Sequence, residues 1–262
     1  MIDTVWEKSE YFDEDELNNY RKTWRKMQPK RNSLTGAYGN SKATKPIFKA
    51  KITNLTWEEF VKEVQNDKIH SLHGRLKVIE KANDYFGQYK HFEDMPINVR
   101  KVIAASYYGS VSILKDNIEW KWFGSMWGAG NFKNLIIENN KNISKALDQI
   151  PRYGNIAKAH FEYFKKYFVK AYQAVNPLGT ATRLLAMKRP DVFVCIDSKN
   201  KRQLCKDFGI SQSKLDLDNY WDLIIERIFD SDWWQSPNPK NKLEERISNS
   251  RSAFLDSLFY VV

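Results

Sequence analysis

The residues best able to do chemistry lie in one stretch, PLGTATRLLAMKRPDVFVCIDSKNKRQL, residues 177–204. It begins with a glycine turn, passes through small and aliphatic residues, crosses the apolar run VFVCI and stops at a lone carboxylate, Asp197. Lys199, Lys201 and Arg202 crowd just behind it. As a helix N-cap, Asp197 accepts hydrogen bonds from the amides of Lys199 or Asn200 and contributes about 1 kcal/mol. As a fixed carboxylate delivered from the interior and flanked by bases, it is also placed to face a cation forming on a sugar. There it would stabilise the charge and orient or deprotonate an attacking water. The two roles can coexist.

A second site lies upstream. The amides of Gly179, Thr180 and Ala181 open a short helix without intrahelical partners, and with the helix dipole they form an anion site of phosphate size. Ala181, Leu184 and Leu185 are expected to bury one face of this helix, leaving Arg183 and Lys188 toward solvent or phosphates. Residues 176–208 carry seven bases and three acids, a balance suited to a surface facing nucleic acid. A competing chemistry is visible in PDVFVCIDSK, where PD followed by D-x-K matches the parts of a metal-dependent nuclease. Six extended residues separate Asp191 from Asp197 by roughly 20 Å, whereas carboxylates sharing a magnesium converge within a few ångströms. VFVCI also has no turn residue to bring them together.

The elements around these residues read as helices. Thr56 and Glu59 form a capping box for a helix to about residue 65. Apolar spacing predicts further helices near 71–90, 96–108, 110–127 and 131–138, and Asn142 is expected to cap a short one before Pro151. A helix from about Gly154 places Phe161, Phe164, Phe168 and Tyr172 on one stripe that reads as core. The link NPLG then reverses the chain, giving a helical hairpin over about 154–188. Helices near 218 and over about 240–260 complete the chain. No strand alternation appears, so the expected fold class is all-α.

Composition bounds the partners. The chain of 262 residues has 42 Lys plus Arg against 32 Asp plus Glu, a net charge of +10 that favours a polyanion. Residues 1–20 carry seven acids and one base, residues 21–51 ten bases and no acid. The segment 1–51 is therefore expected as an acidic helix and a basic arm preceding a helical domain over 52–262. The arm reads equally as a solvated linker or as a segment lying on nucleic acid. Two cysteines, Cys195 and Cys205, make neither a disulfide framework nor a four-cysteine metal site. No apolar run approaches membrane-spanning length. A soluble, cytoplasmic protein without membrane contact is expected.

The order of parts in residues 176–208 resembles the helix-hairpin-helix (HhH-GPD) DNA glycosylases: a glycine-containing hairpin, a helix of small residues, an RPDVF turn, an apolar run and an aspartate opening a basic helix. A looser likeness begins near residue 120, where EWKWFGSMWGAGNF would line a base pocket. The resemblance implies two helical subdomains with a cleft between them. It makes Asp197 the catalytic carboxylate and puts Gly179, Thr180, Ala181, Thr182, Arg183, Lys199, Lys201 and Arg202 along the DNA backbone. Where lyase-active members carry a lysine, this chain has Ala181, which implies a monofunctional enzyme that leaves an abasic site. The hairpin NPLGTAT departs from the usual two-glycine turn, and the cysteine count excludes the iron–sulfur cluster of some members. Trp120, Trp122, Trp127 and Tyr107 are candidates for the base pocket, with core packing as their alternative role.

The expected function is thus removal of a damaged or modified base from double-stranded DNA by a monomer that needs no metal or other cofactor. Bacterial defence against phages with modified DNA is one setting. A non-enzymatic DNA-binding module and a metal-dependent nuclease are the competing readings.

Overall fold

Capping and apolar spacing decide where the helices start. A computed structural model of the protein describes residues 51–67, 70–109, 112–174 and 177–260. The acidic and basic segment expected over 1–51 lies outside the described residues except for its last residue. Among those described, all regular structure is helical and no strand occurs, so the fold is all-α. Residues 49–262 make one compact unit.

Helix α1 (Trp57–Asn66) begins at the capping box, with the Glu59 amide donating to Thr56 Oγ1 at 3.3 Å and the Thr56 amide to Glu59 Oε2 at 2.9 Å. It buries Trp57, Phe60, Val61 and Val64 at helical spacing, and Phe60 stacks on Trp233 with ring centroids 4.2 Å apart. Helix α2 (Leu72–Gln88) is capped by Ser71, whose oxygen accepts from the Gly74 amide. Helix α3 (Ile97–Ile103) ends five residues before the expected boundary of 108, because Ala105 takes a positive φ of 48° that a right-handed helix cannot contain.

The helix expected over 110–127 does not form. Lys115, Asn117 and Gly124 have φ of 56°, 53° and 88°. Short polar side chains capture the local amides: Ser112 Oγ accepts from Leu114 N, and Asp116 accepts from Ile118 N and from Trp120 Nε1. These bonds compete with a helical ladder, and a single 3-10 turn, Trp120–Phe123, remains.

Helices α4 (Phe132–Ile137) and α5 (Lys141–Asp148) follow, and α5 is capped by Asn140 rather than by the expected Asn142. Helix α6 (Lys158–Ala171) starts four residues after Gly154, which sits in a turn at φ 74°. Its Phe161, Phe164 and Phe168 are fully buried, as the stripe predicted, while Tyr172 donates its hydroxyl to Ala129 O at 2.6 Å.

Helix α7 (Leu178–Lys188) occupies the centre, with every side chain from Thr180 to Met187 buried. A helix apolar on all sides is a core helix, and α7 carries one charge into that core. Arg183, expected near solvent, has no exposed surface. Its guanidinium donates to the carbonyls of Ile103 (2.9 Å), Val102 (3.2 Å) and Trp120 (2.8 Å). Two of these are carbonyls at the end of α3, where the helical ladder stops; Val102 O also accepts from Ala105 N at 3.1 Å. The arginine thus joins α3 and the 3-10 turn to the central helix, and burial lowers its pKa to about 10.

Helix α8 (Lys201–Phe208) precedes a π-helical turn, Trp221–Ile225, that runs into α9 (Glu226–Phe229) and then α10 (Asp232–Gln235). The helix expected over 240–260 is split into α11 (Lys242–Ser248) and α12 (Leu255–Leu258). The break is tertiary in origin, because Ala253 N donates to Pro190 O and Ser252 Oγ to Asp191 O. No described helix is long and apolar enough to cross a membrane.

Candidate active site

The run Val192–Ile196 is buried throughout and belongs to no sheet, so its backbone groups need other partners. Side-chain hydroxyls supply them. Val194 N donates to Tyr220 Oη at 3.1 Å, Tyr220 Oη donates to Val194 O at 2.9 Å, and Ile196 N donates to Thr182 Oγ1 at 3.0 Å. The Ile196 carbonyl lies 3.3 Å from where a Cβ on Gly179 would stand. The run therefore brings Asp197 beside the N-terminal end of α7.

Asp197 is half-buried. Its Oδ1 accepts from the amides of Lys199 (2.7 Å) and Asn200 (3.2 Å), the expected cap, over a turn that leads into α8. Its Oδ2 makes no hydrogen bond among the described residues and lies 3.0 Å from where a Cβ on Gly124 would stand. Only glycine fits at position 124, for its φ of 88° and for this approach.

A buried polar chain holds the aspartate from behind. Asn200, with no exposed surface, accepts from the Asp197 amide at 3.0 Å and donates to Cys195 O at 2.8 Å and to Asp256 Oδ1. Asp256 is also fully buried and pairs through Oδ2 with Arg75 at 3.0 Å. Burial raises the Asp256 pKa, Arg75 opposes that shift, and the nearby Asp197 charge adds to it. Arg75 lies with its guanidinium carbon 4.7 Å from the Phe123 ring centre and 5.7 Å from that of Trp122.

Sequence reasoning named only the amide of Asn200 and missed its side chain, along with Asp256, Arg75 and Gly124. A signal was present for two of them: Arg75 falls on the apolar stripe of α2 with Val78, Ile79, Ala82 and Phe86, and Asp256 interrupts the apolar run AFLDSLF. A charge on an apolar face needs a buried partner.

The aromatic candidates divide into two groups. Trp120 and Tyr107 are core residues, at 0% and 3% exposure, in the alternative role of core packing rather than on an open pocket wall. Trp120 belongs inside because its indole nitrogen is satisfied by Asp116. Burial, reinforced by Glu119, pushes the Tyr107 phenol up to about 12. Trp122 is half-buried against α2, where Gly74 makes room for its indole nitrogen, and its ring lies edge-on to His70 with centroids 6.5 Å apart. His70 in turn meets Tyr260 at 5.0 Å. Burial raises the Tyr260 pKa, and the charges of Asp197 and Asp256 add to that rise. Trp127 is exposed and packs edge-on against the exposed Tyr108 at 5.7 Å, with the Lys133 ammonium 4.3 Å from its ring centre.

The residues expected along a DNA backbone are also split. Lys199 and Arg202 are exposed, and Gly179 is partly so. Lys201 is half-buried, its ammonium donating to Leu215 O at 2.7 Å. Thr180, Ala181, Thr182 and Arg183 lie in the core. Ala181 N donates to Pro177 O, so that amide is already used within the first turn. Thr182 Oγ1 donates to Leu178 O and supports Ile196.

Among the described residues, no three His, Cys, Asp or Glu converge to hold a metal ion. Cys195 and Cys205 are both buried free thiols. The chain matches no protein-family profile, no curated protein and no solved structure.

Proposed function

We propose that the protein is a monofunctional DNA glycosylase of helix-hairpin-helix type, acting as a cytoplasmic monomer. In this reading two helical subdomains flank a cleft that receives a damaged or modified base flipped out of double-stranded DNA, and the product is an abasic site. The observation that carries the proposal is the division of labour within one carboxylate: Asp197 Oδ1 is fixed by two amides while Oδ2, beside Gly124, makes no hydrogen bond among the described residues. Cleaving a base from deoxyribose builds positive charge on the sugar, and a carboxylate oxygen held in place beforehand stabilises that charge without reorganisation. The same oxygen can take a proton from the attacking water. Trp122, half-buried beside Arg75, and Tyr260, which feels the Asp197 charge, are candidate aromatic walls for this chemistry. Trp127 and Tyr108 are exposed rings suited to stacking on a base or filling the gap it leaves. Lys199 and Arg202 flank the aspartate for phosphate contact. Defence against phages with modified DNA is the setting we favour, on the strength of the long basic arm.

The second reading, a DNA-binding module, is favoured by the two hydrogen bonds that make Asp197 a competent cap. The nuclease reading is weakened by Asp191, whose two oxygens are both engaged by Arg189 at 2.8 Å. Incubating the protein with a panel of damaged and phage DNAs in EDTA, followed by hot alkali, separates the three. A glycosylase of this kind gives alkali-dependent breaks that EDTA does not suppress. Breaks that appear without alkali and vanish with EDTA assign a nuclease, and none on any substrate leaves the binding module.

The net charge of +10 also predicts DNA affinity that falls steeply with salt. Deleting residues 1–51 should flatten the slope of log affinity against log salt. An unchanged slope would remove the basic arm from the interface.

A further inference from the structure

A cleft of ≈ 450 Å³ opens at the C-terminal end of α7, within the range of small-molecule sites. Lys188, in its wall, is nine residues along α7 from Gly179, about 13 Å away at the helical rise. The cleft therefore lies away from the Asp197 end of the helix.

Its charges are unbalanced. Five bases line it against two acids, Glu80 and Asp191. Both acids are occupied: Arg246 holds Glu80 at 2.5 and 3.0 Å, and Arg189 holds Asp191 at 2.8 Å through both oxygens. Arg152, Lys188 and Arg251 are left without an ion pair among the described residues. Arg251 donates through Nη1 to Ser248 O and Arg152 makes two 3.3 Å contacts to Asn83 through Nη2, which leaves Arg251 Nη2 and Arg152 Nη1 without an acceptor among the described residues. Lys188 donates to Leu147 O at 2.6 Å. Burial lowers the Lys188 pKa to about 8; Asp148 opposes that shift and the Arg152 charge adds to it. Burial likewise lowers the Arg251 pKa, with Asp191 opposing and Arg189 adding. Half-buried cations that repel one another and keep free donors gain most from a compact anion with several acceptor oxygens. At the rim stands Tyr153, 72% exposed, with the Arg152 guanidinium 4.9 Å from its ring centre on one side.

We propose that this cleft binds a nucleoside phosphate, its phosphate on Arg152, Lys188 and Arg251 and its base on the Tyr153 ring. The assignment is independent of the glycosylase reading. A phosphate of the DNA backbone shares the same chemistry, and the test separates the two sources. Melting shifts and calorimetric titration of the full-length protein would be measured with inorganic phosphate, AMP, adenosine and a short unmodified duplex. AMP and phosphate should raise Tm with concentration, and adenosine should not. The double variant Arg152→Gln, Arg251→Gln should bind AMP at least tenfold more weakly, with duplex affinity changed less than twofold. Tyr153→Ala should weaken AMP at least fivefold, as expected for a lost stacking contact, and leave phosphate binding unchanged. Because that ring is exposed, this variant carries the test if the double variant unfolds. Absence of AMP binding to the wild type overturns the proposal, as does AMP binding that is unchanged in Tyr153→Ala. A double variant that loses duplex affinity while the wild type ignores AMP assigns the cleft to DNA instead.

Discussion

Asp197→Asn should reduce base release by orders of magnitude while leaving the fold within about 1 kcal/mol of wild type. Asparagine keeps an oxygen that can accept from the Lys199 and Asn200 amides, so the turn into α8 survives. It loses the negative charge that the proposed mechanism sets against the sugar cation. The structure adds a reason for the stability to hold: the Asp197 charge disfavours ionisation of the buried Asp256, and its removal relieves that conflict. DNA binding, on the proposed function, should be unchanged or slightly tighter, since a negative charge is gone. Asp197→Ala should lose both activity and stability, because the cap goes with the charge. Measuring released base alongside thermal melting for the two variants separates the roles. Wild-type release from Asp197→Asn, with Asp197→Ala merely melting earlier, would make the residue a cap and sink the mechanism.

The second large effect is on folding. Arg183→Met should cost about 3 kcal/mol, a fall of about 6–12 °C in Tm for a domain of this size. Methionine fills much of the same volume, and removing a buried charge is in itself favourable. The opposing effect is larger, because the buried carbonyls of Ile103 and Trp120 lose the arginine donor and Val102 O keeps only the Ala105 amide. Arg183→Lys should also be destabilised, since one ammonium cannot reproduce a planar fork that reaches three acceptors. Chemical denaturation of both variants provides the check. An unfolding midpoint for Arg183→Met equal to wild type would mean that the three bonds contribute nothing net.

What the chain determines locally was legible. Thr56 and Glu59 start α1 because both halves of the capping box lie within four residues. The Phe161, Phe164 and Phe168 stripe buries itself because helical spacing alone puts the three rings on one face. The all-α class, the interior path of VFVCI and the capping of the turn after Asp197 rest on the same short-range rules, as does the gathering of bases behind it. The charge balance that favours a polyanion needs no structure at all.

One miss was local and tertiary contacts decided the rest. The segment 110–127 has helical spacing but breaks at Lys115 and Asn117, both left-handed, where the Ser112 and Asp116 side chains accept from the Leu114 and Ile118 amides two residues on. Periodicity reports which face is apolar and is silent on which amides a side chain will capture. Arg183 looked like a solvent-facing base because spacing cannot show that the end of α3 presents carbonyls to it across eighty residues. Asp256 and Arg75 lie 181 positions apart in the chain, and nothing local links a lone acid near residue 256 to a lone base in α2. Folding brings them together behind Asn200 because a buried charge is tolerated only when paired. That pair supports Asp197 from within the core. The sequence alone therefore placed the carboxylate, and the tertiary structure supplied the groups that hold it still, because those groups converge only once the helices have packed.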